Sequence, residues 1–132
     1  MKSVPGIVLS AIVMGVSLPT AQAHHSFPAT YLVDQEITLE GELVAFMFRN
    51  PHAFVHLNVK DKKGNVTRYA IEWGGASQLN QQGVTRSTFK PGDFVIITGN
   101  PGRNPEDNRM RMRRIERPAD GFKWGFQGED FQ

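Results

Sequence analysis

Apolar and polar residues alternate along this chain in short stretches separated by turn residues, the pattern of strands with one buried face. The first stretch runs from Glu36 to Phe48 and puts Ile37, Leu39, Leu43, Ala45 and Met47 on one face. Gly41 interrupts it, and a glycine inside a strand often marks a bend or bulge. Asn50-Pro51 is turn chemistry. In the second stretch Ala53, Val55, Leu57 and Val59 share the apolar face, while His52, Phe54, His56 and Asn58 share the other. Asp61-Lys62-Lys63-Gly64-Asn65 is a hairpin signal, with Gly64 suited to the left-handed conformation. A loop of Lys62 to Gly64 sets Asp61 opposite Asn65. It also aligns Val55, Leu57 and Val59 with Ile71, Tyr69 and Thr67 of a third strand spanning Val66 to Trp73, so that both apolar faces point the same way.

Gly74-Gly75 ends the third strand, and Ala76 to Gln82 has room for two helical turns before Gly83. The Lys90-Pro91-Gly92-Asp93 turn leads into a fourth strand, Phe94 to Gly99. After a loop rich in Pro and Gly, a fifth runs from Arg109 to Glu116. There Met110, Met112 and Ile115 are expected inward and Arg109, Arg111, Arg113 and Arg114 outward, with the Arg113-Arg114 doublet marking a change of face. Residues 24–35 are expected as an extended lead-in, 36–117 as the folded unit, and 118–132 as a tail carrying Phe122, Trp124, Phe126 and Phe131. Three strands, a helix and two strands, with a bent first strand, predict an all-β chain: a small five-stranded OB-like barrel with one short helix between strands 3 and 4. A small sandwich is the alternative.

The first 23 residues have a different character. Lys2 is followed by an apolar run of 12 residues, Ile7 to Leu18, and then by Ala21-Gln22-Ala23 with small residues where a signal peptidase reads. A run of that length makes about 18 Å of helix against about 30 Å of hydrocarbon, so a cleavable leader fits better than an anchor. The expected location is therefore periplasmic or secreted, with no stable membrane anchor left after a cut behind Ala23. Only Lys2 of the 15 basic residues falls in the leader, so the mature chain stays near neutrality. There are no cysteines, which rules out disulfides, thiolate metal sites and cysteine nucleophiles.

Cleavage after Ala23 gives histidine chemistry a starting point. His24 would then carry a free α-amine, whose pKa of about 8 leaves a useful fraction unprotonated at neutral pH. The amine and the His24 imidazole can chelate one ion, His52 can complete a T-shaped nitrogen set suited to Cu(II), and His25 can add an amide or a second imidazole. His52 and His56 lie about 13 Å apart on a regular strand and cannot share one ion. Glu72 falls opposite Phe54, diagonal to both histidines on the same face, where it can orient His52 or supply an oxygen. The competing interpretation is a solvated N-terminus with ordinary surface histidines. Met110 and Met112 are simpler as core residues than as Cu(I) ligands. The arginine row on an OB-like barrel resembles a nucleic-acid-binding surface, but the charge balance and the export signal point away from nucleic acid. No nucleophile elbow, carboxylate pair or phosphate loop is present, so turnover is not expected.

His24-His25-Ser26-Phe27 after a leader, the Asn50-Pro51-His52 turn, Ala70-Ile71-Glu72, Gly83-Val84-Thr85-Arg86 and Phe89-Lys90-Pro91-Gly92-Asp93 together resemble an uncharacterised family, a domain of unknown function found in short exported bacterial proteins. The resemblance spans nearly all of the mature chain. It implies export and a small barrel, and its marked positions fall on His24, His25, His52 and Glu72. His56 lies outside that pattern, and Phe89 stands where leucine is usual. Two functional readings follow. One is an exported binding protein that coordinates copper through the mature N-terminal histidine. The other is a metal-free module that binds a periplasmic protein or small molecule on its strand 2–3 face, through Phe54, His56 and Asn58.

Overall fold

The computed structural model describes residues 26–126; the leader, His24 and His25 lie outside them. Strands β1 (Ile37–Met47), β2 (Phe54–Lys60) and β3 (Val66–Glu72) form a meander, and helix α2 (Ala76–Gln81) connects β3 to β4 (Phe94–Pro101). A single 3₁₀ turn, Pro105–Asp107, then precedes β5 (Arg109–Arg117). The β2–β3 register pairs Val55 with Ile71, Leu57 with Tyr69 and Val59 with Thr67, as the hairpin loop requires, and Gly64 takes a φ of 87°. β1 pairs antiparallel with both β2 and β4, and β4 with β5. A parallel pairing of Ala70, Ile71 and Glu72 with Arg109, Met110 and Arg111 closes the ring. The strand order around it, β1-β2-β3-β5-β4, with a helix between β3 and β4, is that of a five-stranded OB-like barrel.

The barrel is filled by Leu43, Leu57, Ile71, Ile97, Met110 and Ile115, all fully buried. Without disulfides the fold depends on this packing, each such side chain contributing about 1.5–3 kcal/mol by its burial. Phe89 joins Trp73, Phe46 and Phe122 in an aromatic layer at one end. Gly41 is a point of close approach: a Cβ there would stand 2.0 Å from the Asn58 carbonyl oxygen.

Three expectations need correction. First, the β1 bulge falls at Val44, between the pairs Leu43↔Leu57 and Ala45↔His56. One extra residue inverts the alternation, because side chains switch faces at every position. Phe46 therefore packs against the core, and Ala45 and Met47 leave the face shared by Ile37, Leu39 and Leu43; Met47 is exposed. Second, the lead-in is not simply extended. Ser26 precedes a one-turn helix, α1 (Phe27–Thr30), and Tyr31 bridges to Gly102. Pro28 suits the first turn of a helix, where its missing N–H costs nothing. Arg103 Nε donates to the Pro28 carbonyl (2.7 Å), and the buried Asn100 Nδ2 donates to that of Gln35 (2.7 Å), so this segment is bound to the barrel. Third, the tail begins with a strand, β6 (Phe122–Trp124), paired with Ile115 to Arg117 of β5. On β5 the methionines face inward, and the register shift opposite Thr98 and Gly99 leaves Arg113 as the extra residue.

Candidate functional site

The Asn50-Pro51-His52 corner is held by the segment that follows β3. Asn50 Oδ1 accepts from the Ser77 backbone N–H (3.1 Å), Asn50 Nδ2 donates to Ser77 Oγ (3.0 Å), and the Ala76 N–H donates to the Arg49 carbonyl (3.1 Å). The Asn50 side chain thereby satisfies one of the free N–H groups at the start of α2. Gly75 is required here, because a Cβ would stand 2.6 Å from the Pro51 carbonyl oxygen. The Asn50–Pro51 peptide is cis. Two further bonds, Ala53 N–H to the Gly74 carbonyl and Trp73 N–H to that of Ala53, extend the β2–β3 ladder and hold His52 over the end of β3.

The register places Glu72 opposite Phe54. Its carboxylate is 12% exposed and is held from three sides. The hydroxyl of Tyr31 donates to Oε2, Arg109 Nη2 lies 3.3 Å from the same oxygen, and His52 Nδ1 lies 3.3 Å from Oε1. The His52 nitrogen is buried and sits off the line of a hydrogen bond, so it has no hydrogen-bond partner among the described residues, although the His52 side chain is 40% exposed. Burial, and then the hydrogen bond to Glu72, push the Tyr31 hydroxyl well above the ordinary tyrosine range, which keeps it a proton donor. Phe27 completes the cluster, edge-on to the His52 ring and stacked beneath the Arg111 guanidinium with 3.6 Å from Cζ to the ring centroid. Burial and the neighbouring Arg113 lower the pKa of Arg111.

Two recesses flank the His52–Glu72 pair. A cleft of about 240 Å³ is lined by Ser26, Phe27, Tyr31, His52, Glu72 and Arg109. A cavity of about 330 Å³ lies on the other side, between Phe27, the β3–α2 connection, β5 and β6. A family model described as a family of unknown function, DUF6152, matches residues 12–111. The chain belongs to that family. No curated protein matches it. Solved structures of the mitochondrial single-stranded DNA binding protein Rim1 from S. cerevisiae are similar in backbone. One crystal form has a TM-score of 0.49 at 13% identity over 64% of this chain and 93% of the other. Another has 0.49 at 10% over 64% and 92%.

Of the residues singled out in the sequence, the structure brings His52 and Glu72 together. His56 stands apart on β2 opposite Ala70, and Phe54 lies under the Arg49 guanidinium at 5.5 Å. His24 and His25 lie outside the described residues. Among those described, no three His, Cys, Asp or Glu side chains converge as a metal-holding group. Tyr31, Phe27, Arg109 and Arg111 were missed by sequence reasoning. For the arginines a signal existed: they alternate with inward methionines on the strand that closes the barrel beside β3, which sets them next to Glu72. Tyr31 had none, since its place depends on the bridge to Gly102.

Proposed function

We propose that this member of the family is an exported copper-binding protein in which the α-amine and imidazole of His24, exposed by cleavage after Ala23, hold one ion together with His52. The supporting observation is the position of Ser26, which lines the same cleft as His52 and Glu72. Two residues of chain reach at most about 7 Å, so a terminus at His24 has this cleft within range. The donor set fits. Glu72, anchored by Tyr31 and Arg109, has Oε1 3.3 Å from His52 Nδ1, from where a small turn of the imidazole would make the hydrogen bond that orients a ligating histidine. His25 contributes an amide or a second imidazole. Three nitrogens in a T suit Cu(II), and copper supplies the cargo for binding or delivery, with no turnover by this chain. The outer face of β2 and β3 is the second reading. Arg49 over Phe54 and the hydrogen bond from Arg68 Nε to Asn58 Oδ1 (2.6 Å) already engage its groups, which favours the cleft.

The test is copper titration of the processed protein, with its terminus verified by intact mass and followed by electron paramagnetic resonance. One Cu(II) per chain with nitrogen couplings is expected, together with a loss of affinity of tenfold or more on His52→Ala or on placing one residue before His24. Undiminished affinity in the extended protein sinks the proposal.

A further inference from the structure

We infer that the cavity on the far side of the His52–Glu72 pair binds a small, flat, apolar molecule carrying one carboxylate, with Arg111 as its anchor. The β5 arginines supply the first observation. Arg109 meets Glu72, Arg113 and Arg114 meet Glu36, and Arg117 meets Asp93 and Asp120. Arg111 has no carboxylate within 4.0 Å and donates no hydrogen bond among the described residues, yet it lines the cavity and is fixed in plane by its stack on Phe27. Guanidinium N–H groups lie in the plane of the group, so stacking leaves them open to an acceptor at the edge.

The walls supply the rest. Glu72 is the one carboxylate on them; Tyr31 and Arg109 engage its oxygens directly, while Arg111 feels it only through space and keeps its N–H groups free for a ligand. Trp73 and Trp124 meet nearly at right angles, 4.9 Å between centroids, with Leu79 and Met112 beside them. That corner accepts a flat apolar body. Trp73 Nε1 is buried within the wall and has no partner among the described residues, so its resonance is sensitive to what fills the space beside the ring. A volume of about 330 Å³ lies at the small end of ligand pockets, which selects a single-ring acid over a larger one.

Trp73 and Trp124 are the only tryptophans in the chain, so its fluorescence reports on this cavity. The experiment titrates metal-stripped protein with benzoate, its neutral isostere benzamide, and acetate, which carries the carboxylate without the ring. Benzoate is expected to give a saturable change in emission and to shift the Trp73 indole N–H resonance. Benzamide, acetate, and benzoate with Arg111→Gln should each bind at least tenfold more weakly. Equal binding of benzoate and benzamide, or the absence of any saturable change, overturns the assignment on wild-type protein alone; undiminished binding by Arg111→Gln does so as well. Because the protein carries no copper in this assay, the result is independent of the metal proposal.

Discussion

Replacing Tyr31 by phenylalanine removes one oxygen and tests the brace that holds Glu72. Tyr31 is 1% exposed, and its ring contacts to Phe27 and to the Arg109 guanidinium survive the change, so packing is preserved while the donor to Glu72 is lost. A hydrogen bond to a charged group contributes about 1.5–3 kcal/mol. Arg109 remains on the same carboxylate oxygen and limits the damage, so a loss near 2 kcal/mol is expected. For a domain of roughly 100 residues this lowers Tm by about 10 °C. The assay is urea unfolding followed by circular dichroism from pH 7 to 11. Because the folded-state pKa of Tyr31 is raised above its unfolded value of about 10, its contribution is fully present below that pH. It is lost as the pH climbs toward the folded value, so the gap between wild type and Tyr31→Phe should stay constant to about pH 9.5 and narrow above it. A loss under about 0.5 kcal/mol, or a gap that does not move with pH, refutes the brace.

Two other perturbations test the barrel. Arg117 is 16% exposed, bonds Asp93, Asp120 and the Thr88 carbonyl, and lies against the rings of Phe89 and Phe122. Arg117→Ala leaves the half-buried Asp93 with only the Lys90 N–H on its carboxylate and should cost about 2 kcal/mol in denaturant unfolding, whereas loss of a surface pair would cost under about 1 kcal/mol. Gly99→Ala sets a Cβ 2.1 Å from the Arg111 carbonyl oxygen, within the β4–β5 pairing. It should cost about 1–3 kcal/mol and weaken hydrogen-exchange protection along β5 first; wild-type stability would contradict that contact.

The β2–β3 pairing was legible because a short hairpin loop fixes register and leaves no freedom for the facing residues, and Glu72 reached His52 by the same logic. The inner face of β1 was misread because nothing in Leu43-Val44-Ala45 marks a bulge, while Gly41, the residue that attracted attention, is glycine for lack of space beside Asn58. The Ser26-Phe27-Pro28 start of α1 carried a helix signal too short to stand against the polar residues around it. β6 was hidden in a tail whose aromatics are spaced like a strand for only three residues. Tyr31 and the 330 Å³ cavity arise from contacts between segments distant in sequence, which local pattern does not record.

The parallel seam between β3 and β5 has a consequence for a chain that must survive without cysteines. It leaves unpaired strand margin along the start of β3 and on the three-residue β6. Exposed margins recruit neighbouring molecules by backbone pairing, and short ones do so poorly. The seam that completes the ring therefore also shortens the edge open to such pairing, without any covalent cross-link.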